Sequence, residues 1–235
     1  QPQVGRHDQM IGVEALLRWQ RPDRLTMPDE FINQAEESGL ILPIGAWVLE
    51  TACAQLAEWA KDAATAHLSI AVNVSARQFQ NPAFVDQVMA AIQRQGVQPK
   101  RLKLELTESL MASEIDVTIA KMSRLKNIGV TLALDDFGKG FSALSYLKRM
   151  PLDQLKIDAG FIRDVLTDPN DAAIALTIIG LARSLGLGVI AEGVETQAQR
   201  DFLQRHGCEH YQGYLFSKPL PIDALQAFMA QQTPG

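Results

Sequence analysis

The chain has 235 residues, of which 47% are hydrophobic and 21% are charged, and its formal net charge at pH 7 is −5. This length and apolar fraction suffice for one large core and exclude a disordered chain. The acidic balance argues against long DNA or RNA as a partner, since no lysine and arginine cluster interleaves with aromatic residues. Two cysteines, Cys53 and Cys208, are too few for a disulfide framework and fit a reducing cytoplasm.

The apolar runs of the chain are all shorter than the roughly 20 residues that cross a bilayer, and no charged-then-apolar leader opens it. We therefore expect a cytoplasmic domain with no transmembrane segment, even if a full-length protein were anchored to a membrane. The first residue is Gln1 rather than methionine. This suggests that residues 1–235 are a single domain excised from a longer multidomain protein.

Short apolar runs recur along the chain and end in acidic or amide residues. Leucine and β-branched residues fill them, which is typical of buried strands. Between them, the segments Pro43 to Asp62, which includes Trp47, and Asp171 to Leu185 place apolar residues along one helix face. This alternation of strands and helices predicts an α/β fold. The clearest strand runs are residues 68–74, 102–106, 130–134 and 187–191.

A TIM-like (β/α)8 barrel is the first choice of architecture, because eight strand–helix units need about this length. An open doubly wound sheet is the alternative, since periodicity cannot show closure, but no dinucleotide fingerprint follows the first strands. In a parallel barrel the carboxyl ends of the strands converge on one face, so polar residues at those ends would share a pocket. These residues are Glu14, Asn73, Glu105, Asp135, Asp136, Lys156, Asp158, Glu192 and Gln212.

The carboxylates of this predicted pocket outnumber its one lysine, Lys156. Crowded carboxylates at low dielectric either take up protons or bind cations. Hard divalent ions such as Mg²⁺ or Mn²⁺ prefer carboxylate and amide oxygens, and Asn73 supplies an amide. The adjacent Asp135 and Asp136 could serve two ions, an arrangement suited to phosphodiester hydrolysis.

Each of these residues also has an ordinary structural explanation. Asp135 and Asp136 could cap a helix, Asn73 could begin a turn, and Lys156 with Asp158 could form a surface ion pair. Their joint occurrence at successive strand ends favours a shared site. Zinc is disfavoured because the four histidines lack the spacing of a zinc site, and no serine or cysteine has a recognisable partner histidine.

The string Glu14-Ala15-Leu16-Leu17-Arg18-Trp19 resembles the signature of the EAL-domain cyclic-di-GMP phosphodiesterases of bacteria, and the match extends over essentially the whole chain. One tripeptide would be weak support, whereas an ordered series of blocks is specific. The resemblance implies an eight-fold barrel with one strand running against the others. It also implies an enzyme that linearises cyclic di-GMP to 5′-pGpG with two Mg²⁺ or Mn²⁺ ions. The further blocks are residues 28–32, 35–41, 73–79, 105–109, 135–138, 155–158, 191–195 and 212–214.

The resemblance further implies a role for each matching residue of the metal centre. Asp135 would bind both ions and Asp136 the second. Lys156 would orient or activate the attacking water, and Glu192 would be a metal ligand or a proton acceptor. The ligands of the first ion would be Glu14, Asn73, Glu105 and Asp135.

Outside these ligands, the resemblance implies that Arg18 contacts a substrate phosphate and Gln212 contacts water at the ions. Glu108 would anchor the loop that carries the two aspartates, and Glu195 would contact the metal ligands without binding an ion itself. Lys139 stands where the family usually has a threonine, and we expect it to loosen this loop and weaken binding of the second ion.

An active phosphodiesterase is the leading interpretation of this chain. Its expected partners are cyclic di-GMP, a second copy in a homodimer and an upstream sensory or GGDEF-type domain. The main alternative is a receptor of the same fold that binds cyclic di-GMP without hydrolysing it, and Lys139 favours that reading. A domain that serves only as a partner platform would predict eroded strand-end acids, and these are present.

Overall fold

Eight strands close into a barrel in the computed structural model, which describes residues 1–112, 115–138 and 144–232 of the protein. Two further strands form a small separate sheet. The strands are β1 (Pro2–Val4), β2 (Met10–Ala15), β3 (Trp19–Gln20), β4 (Leu25–Thr26), β5 (Ser69–Val74), β6 (Leu102–Thr107), β7 (Thr131–Phe137), β8 (Gln154–Ile157), β9 (Gly188–Ala191) and β10 (His210–Tyr211).

Helices surround the barrel and follow most of its strands. The helices are α1 (Ile32–Ser38), α2 (Ile41–Trp59), α3 (Ala76–Gln80), α4 (Phe84–Gln95), α5 (Ile115–Asn127), α6 (Leu144–Leu147), α7 (Ala159–Arg163), α8 (Pro169–Leu185), α9 (Gln197–Arg205) and α10 (Ile222–Gln232).

The strand order around the barrel is β1-β10-β9-β8-β7-β6-β5-β2. Neighbours from β2 round to β10 run parallel, whereas β1 is antiparallel to both β2 and β10 and closes the ring between them. The predicted TIM-like barrel with one antiparallel strand is therefore confirmed, and the open doubly wound sheet is wrong.

Strand β6 shows how the sequence positions the site. Successive side chains of a strand point to opposite faces, and here the leucines of β6 are at most 1% exposed and belong to the core between barrel and helices. Lys103 and Glu105 alternate with them and lie inside the barrel, where Lys103 reaches side chains of β1 and β8. The interior is thus lined by polar residues that the apolar layer outside keeps away from water.

Helix α2 buries only part of the apolar face that we expected. Trp47 is 60% exposed, and the buried residues are instead centred on Gly45 and Leu49. A Cβ added at Gly45 would lie 1.6 Å from Nε2 of Gln78 on α3. Gly45 thus permits close approach of α2 to α3, and Trp47, two residues further along the helix, lies on the opposite side.

Taken singly, none of the helices in the described ranges is both long and apolar enough to cross a membrane. Helices α1 and α2 meet that test of length and composition only as a pair bent by 118°.

Candidate active site

Lys156 lies at the centre of a cluster of carboxylates inside the barrel. Its side chain is 1% exposed, and Nζ lies 2.6 Å from Glu105 Oε2 and 2.6 Å from Glu192 Oε1. Asp135 Oδ2 is 3.1 Å away and Glu14 Oε1 is 3.7 Å away. The four acids come from β2, β6, β7 and the residue after β9, so barrel closure brings together side chains that are far apart in sequence.

Glu14 is held by two amides on opposite sides of its carboxylate. Asn73 Nδ2, on the neighbouring strand β5, donates to Glu14 Oε1 at 2.5 Å, and Gln212 Nε2 donates to Glu14 Oε2 at 2.5 Å. Asn73 is exposed at the mouth of the barrel, whereas Gln212 is 4% exposed. With its Nδ2 engaged, Asn73 retains its carbonyl oxygen as an acceptor or ligand.

The two adjacent aspartates lie on an irregular stretch of β7. Pairing with β8 shifts register between Leu134 and Phe137, and Asp136 has a φ of 55°, the left-handed region that a short acidic residue tolerates. The backbone N–H of Asp136 donates to Asp135 Oδ1 at 2.8 Å. Such an irregularity breaks the usual alternation of faces, which allows both residues to serve one end of the barrel.

The ordinary explanations for these residues do not fit the structure. Asp135 and Asp136 belong to a strand rather than to a helix cap, and Asn73 lies within β5 rather than in a turn. Lys156 is inside the barrel, so it is not half of a surface ion pair. Asp158 instead caps α7, where its Oδ1 accepts from the backbone N–H of Gly160 at 2.8 Å.

Burial dominates the titration of the cluster. Removal from water raises the pKa of Glu105 to about 8, and it also raises the pKa of Asp135 and Glu192. Burial acts the same way on Glu14, but the Lys156 ammonium and the bonds from Gln212 and Asn73 outweigh it and lower that pKa. Burial alone would lower the pKa of Lys156, yet the surrounding carboxylates raise it well above its ordinary value.

The chemistry of this cluster fits divalent cations. Its donors are carboxylate and amide oxygens, the ligands that Mg²⁺ and Mn²⁺ prefer. Glu105 Oε1 and Glu192 Oε1 are buried without a hydrogen bond from any described residue, although Glu192 Oε1 faces the Lys156 ammonium. Within the described ranges, no three histidine, cysteine, aspartate or glutamate side chains are spaced as a metal centre, because the acids are grouped around Lys156. The carboxylate and amide oxygens therefore suit these ions in chemical type. The distances between the acids are those of an ion-pair cluster around Lys156.

The other predicted site residues lie around this cluster. Arg18 follows β2 and donates to the carbonyl of Leu17 at 2.8 Å. Glu195 is exposed in the loop before α9. Glu108 begins the short 3-10 helix after β6, but the loop that it is predicted to anchor includes residues 139–143, which lie outside the described residues. Lys139 is among them, so its role stays a prediction.

The sequence reasoning missed a second polar group, deeper in the barrel. Lys103 on β6 is 8% exposed and Gln3 on β1 is fully buried. Lys103 Nζ donates to Gln3 Oε1 at 3.5 Å and to Gln154 Oε1 at 2.7 Å. A signal for it exists, because two charged residues two apart in an apolar strand, Lys103 and Glu105, indicate a polar inner face.

A separate cavity of about 370 Å³ lies between α2 and α4, on the outside of the barrel. It is lined by Trp47 and by the ion pair of Glu50 with Arg94, whose closest atoms are 2.6 Å apart. None of the strand-end acids lines it, so it is not part of the candidate active site.

The comparisons with known proteins agree with this geometry. The EAL domain family model matches residues 1–219. A bifunctional diguanylate cyclase/cyclic di-GMP phosphodiesterase, MucR of Pseudomonas aeruginosa, is 47% identical over 222 residues, which are 94% of this chain and 32% of MucR. The cyclic di-GMP phosphodiesterase NbdA of the same organism is 44% identical over 218 residues, which are 92% of this chain and 28% of NbdA.

A solved structure described as the PaMucR phosphodiesterase in complex with c-di-GMP superposes with a TM-score of 0.92 at 46% identity, covering 96% of this chain and 92% of that one. The curated relatives are thus about three times longer than the matched chain, whereas the solved domain is nearly coextensive with it. Family match, sequence identity and barrel superposition lead to one assignment: the chain belongs to the EAL domain family.

Proposed function

We propose that this chain hydrolyses cyclic di-GMP to linear 5′-pGpG in a reaction that depends on two divalent cations, Mg²⁺ or Mn²⁺. The observation that carries the proposal is the set of four carboxylates that surround Lys156 at the carboxyl ends of the barrel strands. Support also comes from relatives named as cyclic di-GMP phosphodiesterases. Binding of the dinucleotide is supported by a similar domain solved in complex with c-di-GMP.

Two overlapping sets of residues would hold the two ions, and Asp135 would belong to both. The second ion would be bound by Asp135 and Asp136. When bound, such ions lower the pKa of water and offset charge that develops on phosphate and leaving oxygen. Their charge would also make this acidic pocket attractive to a doubly anionic dinucleotide. The residues that would hold the first ion are Glu14, Asn73, Glu105 and Asp135.

The remaining side chains would act by hydrogen bonding or, for Glu192, by proton transfer. Lys156 has three N–H donors and no acceptor, so its Nζ would orient the attacking water or a phosphate oxygen by donation. Glu192 would accept a proton at its carboxylate or bind an ion. Gln212 would keep Glu14 in place through Nε2. Arg18 would contact a substrate phosphate, a task suited to its planar fork of donors.

Product analysis with and without metal tests this proposal. Purified domain is incubated with cyclic di-GMP in Mg²⁺, in Mn²⁺ or in a chelator, and the products are separated by chromatography. We expect 5′-pGpG with either ion and none with the chelator. Ca²⁺ should support binding without turnover, because its larger and looser coordination shell misplaces water and phosphate. Binding of cyclic di-GMP without product in either metal would make the chain a receptor.

Three expectations about the larger protein remain predictions. These are a homodimer, an upstream sensory or GGDEF-type domain, and a cytoplasmic location for this domain. Sedimentation of the purified chain would test the first, with a mass of twice 25.8 kDa expected for the dimer.

A further inference from the structure

A line of buried hydrogen bonds runs along the inside of the barrel from Lys103 to Glu14. Lys103 Nζ donates to Gln3 Oε1 at 3.5 Å, and Gln3 Nε2 donates to Gln212 Oε1 at 3.0 Å. Gln212 Nε2 then donates to Glu14 Oε2 at 2.5 Å. All four side chains are at most 8% exposed, so water does not compete for these bonds.

The chemistry of its two ends fixes the direction of this line. The ammonium of Lys103 only donates, so the Gln3 amide must turn its oxygen towards it. Gln3 Nε2 then faces Gln212 and requires an oxygen there, which turns Gln212 Nε2 towards Glu14. An ionised carboxylate only accepts. The two amides therefore have one mutual orientation that satisfies both ends, and networks of this kind are strengthened when every member is paired.

Further bonds brace the line at Lys103 and at Gln212. Lys103 also donates to Gln154 Oε1 at 2.7 Å, which holds the ammonium between β1 and β8. The second N–H of Gln212 Nε2 donates to Gln1 Oε1 at 3.0 Å. Gln212 thus uses its oxygen and both amide hydrogens, and it cannot rotate without losing three bonds.

We propose that Gln3 and Lys103 are positioning residues which, acting through Gln212, hold the Glu14 carboxylate in the orientation that binds a divalent cation. This inference rests on the proposed function, in which Glu14 is a metal ligand. Neither residue touches the reacting atoms. Side chains that orient a metal ligand in this way commonly change metal affinity by about 10–100-fold when they are replaced.

Two matched substitutions test the line of bonds. Gln3→Glu keeps shape and places a carboxylate against Lys103, but it removes the donor to Gln212 Oε1 and so forces that amide to turn. Gln154→Glu adds the same charge against the same ammonium without touching the line. We expect Gln3→Glu to weaken Mn²⁺ binding, measured by electron paramagnetic resonance titration, by about tenfold. Gln154→Glu should stay within about twofold of the parent, because its added charge is paired with the same ammonium and no bond between Gln3, Gln212 and Glu14 is lost.

Kinetics provide a second measurement on the same proteins. At limiting Mn²⁺, kcat of Gln3→Glu should fall about as much as its Mn²⁺ affinity, while KM for cyclic di-GMP at saturating Mn²⁺ should match that of Gln154→Glu. If Gln3→Glu does not fold, as shown by its thermal melt, Gln3→Met removes the donor without adding charge and should give a smaller loss in the same direction.

The outcomes separate this inference from the proposed function. Equal Mn²⁺ affinity for Gln3→Glu, Gln3→Met and Gln154→Glu, in a background that binds and hydrolyses normally, would overturn the positioning role alone. A parent chain that neither binds Mn²⁺ nor forms product would overturn the proposed function and the positioning role with it. A selective loss in the two Gln3 variants would establish the line of bonds as part of the metal site.

Discussion

The two halves of the barrel interior bury charge in opposite ways. At the carboxyl ends of the strands, one ammonium, Lys156, faces four carboxylates. Deeper inside, one ammonium, Lys103, faces the neutral amides of Gln3 and Gln154. Among the described residues, the buried side-chain atoms without a hydrogen bond include Glu105 Oε1 and Glu192 Oε1. They include no atom of Lys103, Gln3 or Gln154.

The network around Lys103 thus has its hydrogen bonds satisfied, whereas the network around Lys156 carries excess negative charge. Burial is similar in both halves, and desolvation is the largest cause of the raised pKa values of Glu105, Asp135 and Glu192. The two halves differ in charge balance, because repulsion among the carboxylates near Lys156 adds to this desolvation. In the deeper half, the hydrogen bonds of the Lys103 ammonium are made to neutral amides. The upper half, at the carboxyl ends of the strands, has an excess of negative charge that a cation would offset.

Removing each lysine in turn should show the difference between the two halves of the interior most clearly. Lys156→Met leaves four buried carboxylates without their cation, so we expect turnover to vanish and the free energy of unfolding at pH 7 to fall by about 3–5 kcal/mol. Lys103→Met removes a donor from neutral amides only and should cost about 1–3 kcal/mol. Denaturant melts of metal-free protein measure both. A larger loss for Lys103→Met would reverse our assignment of the two halves.

Glu14→Gln should lower both function and stability in the upper half. It removes one of the crowded acids and a predicted metal ligand, so we expect turnover to fall by at least about a hundredfold. The melting temperature of metal-free protein at pH 7 should also fall, because Lys156 and the bonds from Gln212 and Asn73 lower the pKa of Glu14 against the effect of burial, so its ionised form contributes stability. Glu209→Gln, which alters an exposed pair with Arg6, is the control and should leave both quantities near those of the parent. Normal turnover of Glu14→Gln would remove Glu14 from the metal site.

Asp136 allows its charge to be tested apart from its backbone conformation. Asparagine tolerates the observed φ of 55°, so Asp136→Asn should keep the melting temperature while it weakens binding of the second Mn²⁺ ion. Asp136→Ala should lose the same affinity and a further 1–2 kcal/mol, roughly the strain of an ordinary residue in the left-handed region. Calorimetric titration and thermal melts measure the two effects. Equal melting temperatures for the two variants would show that this strain is absent.

The smallest effect should come from His210, at the start of β10 in the deeper half. Burial and then the Lys103 charge lower its pKa below the ordinary 6.5, while Glu209 acts the other way. A lowered pKa means that the neutral imidazole contributes stability above pH 6.5, which is lost as pH falls through the folded pKa. His210→Gln should weaken the acid-induced drop in melting temperature between pH 7 and pH 5 by about 1–2 °C. Identical pH profiles for the two proteins would contradict this.

The strands and the polar residues at their ends could be predicted from the sequence because both depend on local patterns, whereas barrel closure rested on the number of strand–helix units and on the family resemblance. Apolar runs that end in Glu105 or Asp135 mark the strand ends, and closure then places those ends together. The deeper half was missed because Lys103 and Gln3 are partners only through closure by β1, which no local pattern encodes. The exposure of Trp47 accompanies the close approach of α2 to α3 at Gly45, and the φ of Asp136 depends on pairing with β8.

The antiparallel strand β1 also sets the order in which this molecule can be completed during synthesis. It pairs with β10, where Val4 lies opposite Tyr211. These two strands are the most distant pair of the barrel in sequence. A ribosome that adds about 5–20 residues per second needs roughly 10–40 s to make the chain between them. For that time the growing sheet has two open edges, and unpaired edges are sites of aggregation. The risk of misassembly during translation therefore depends on how fast the ribosome reaches β10, and a more stable finished barrel does not reduce it.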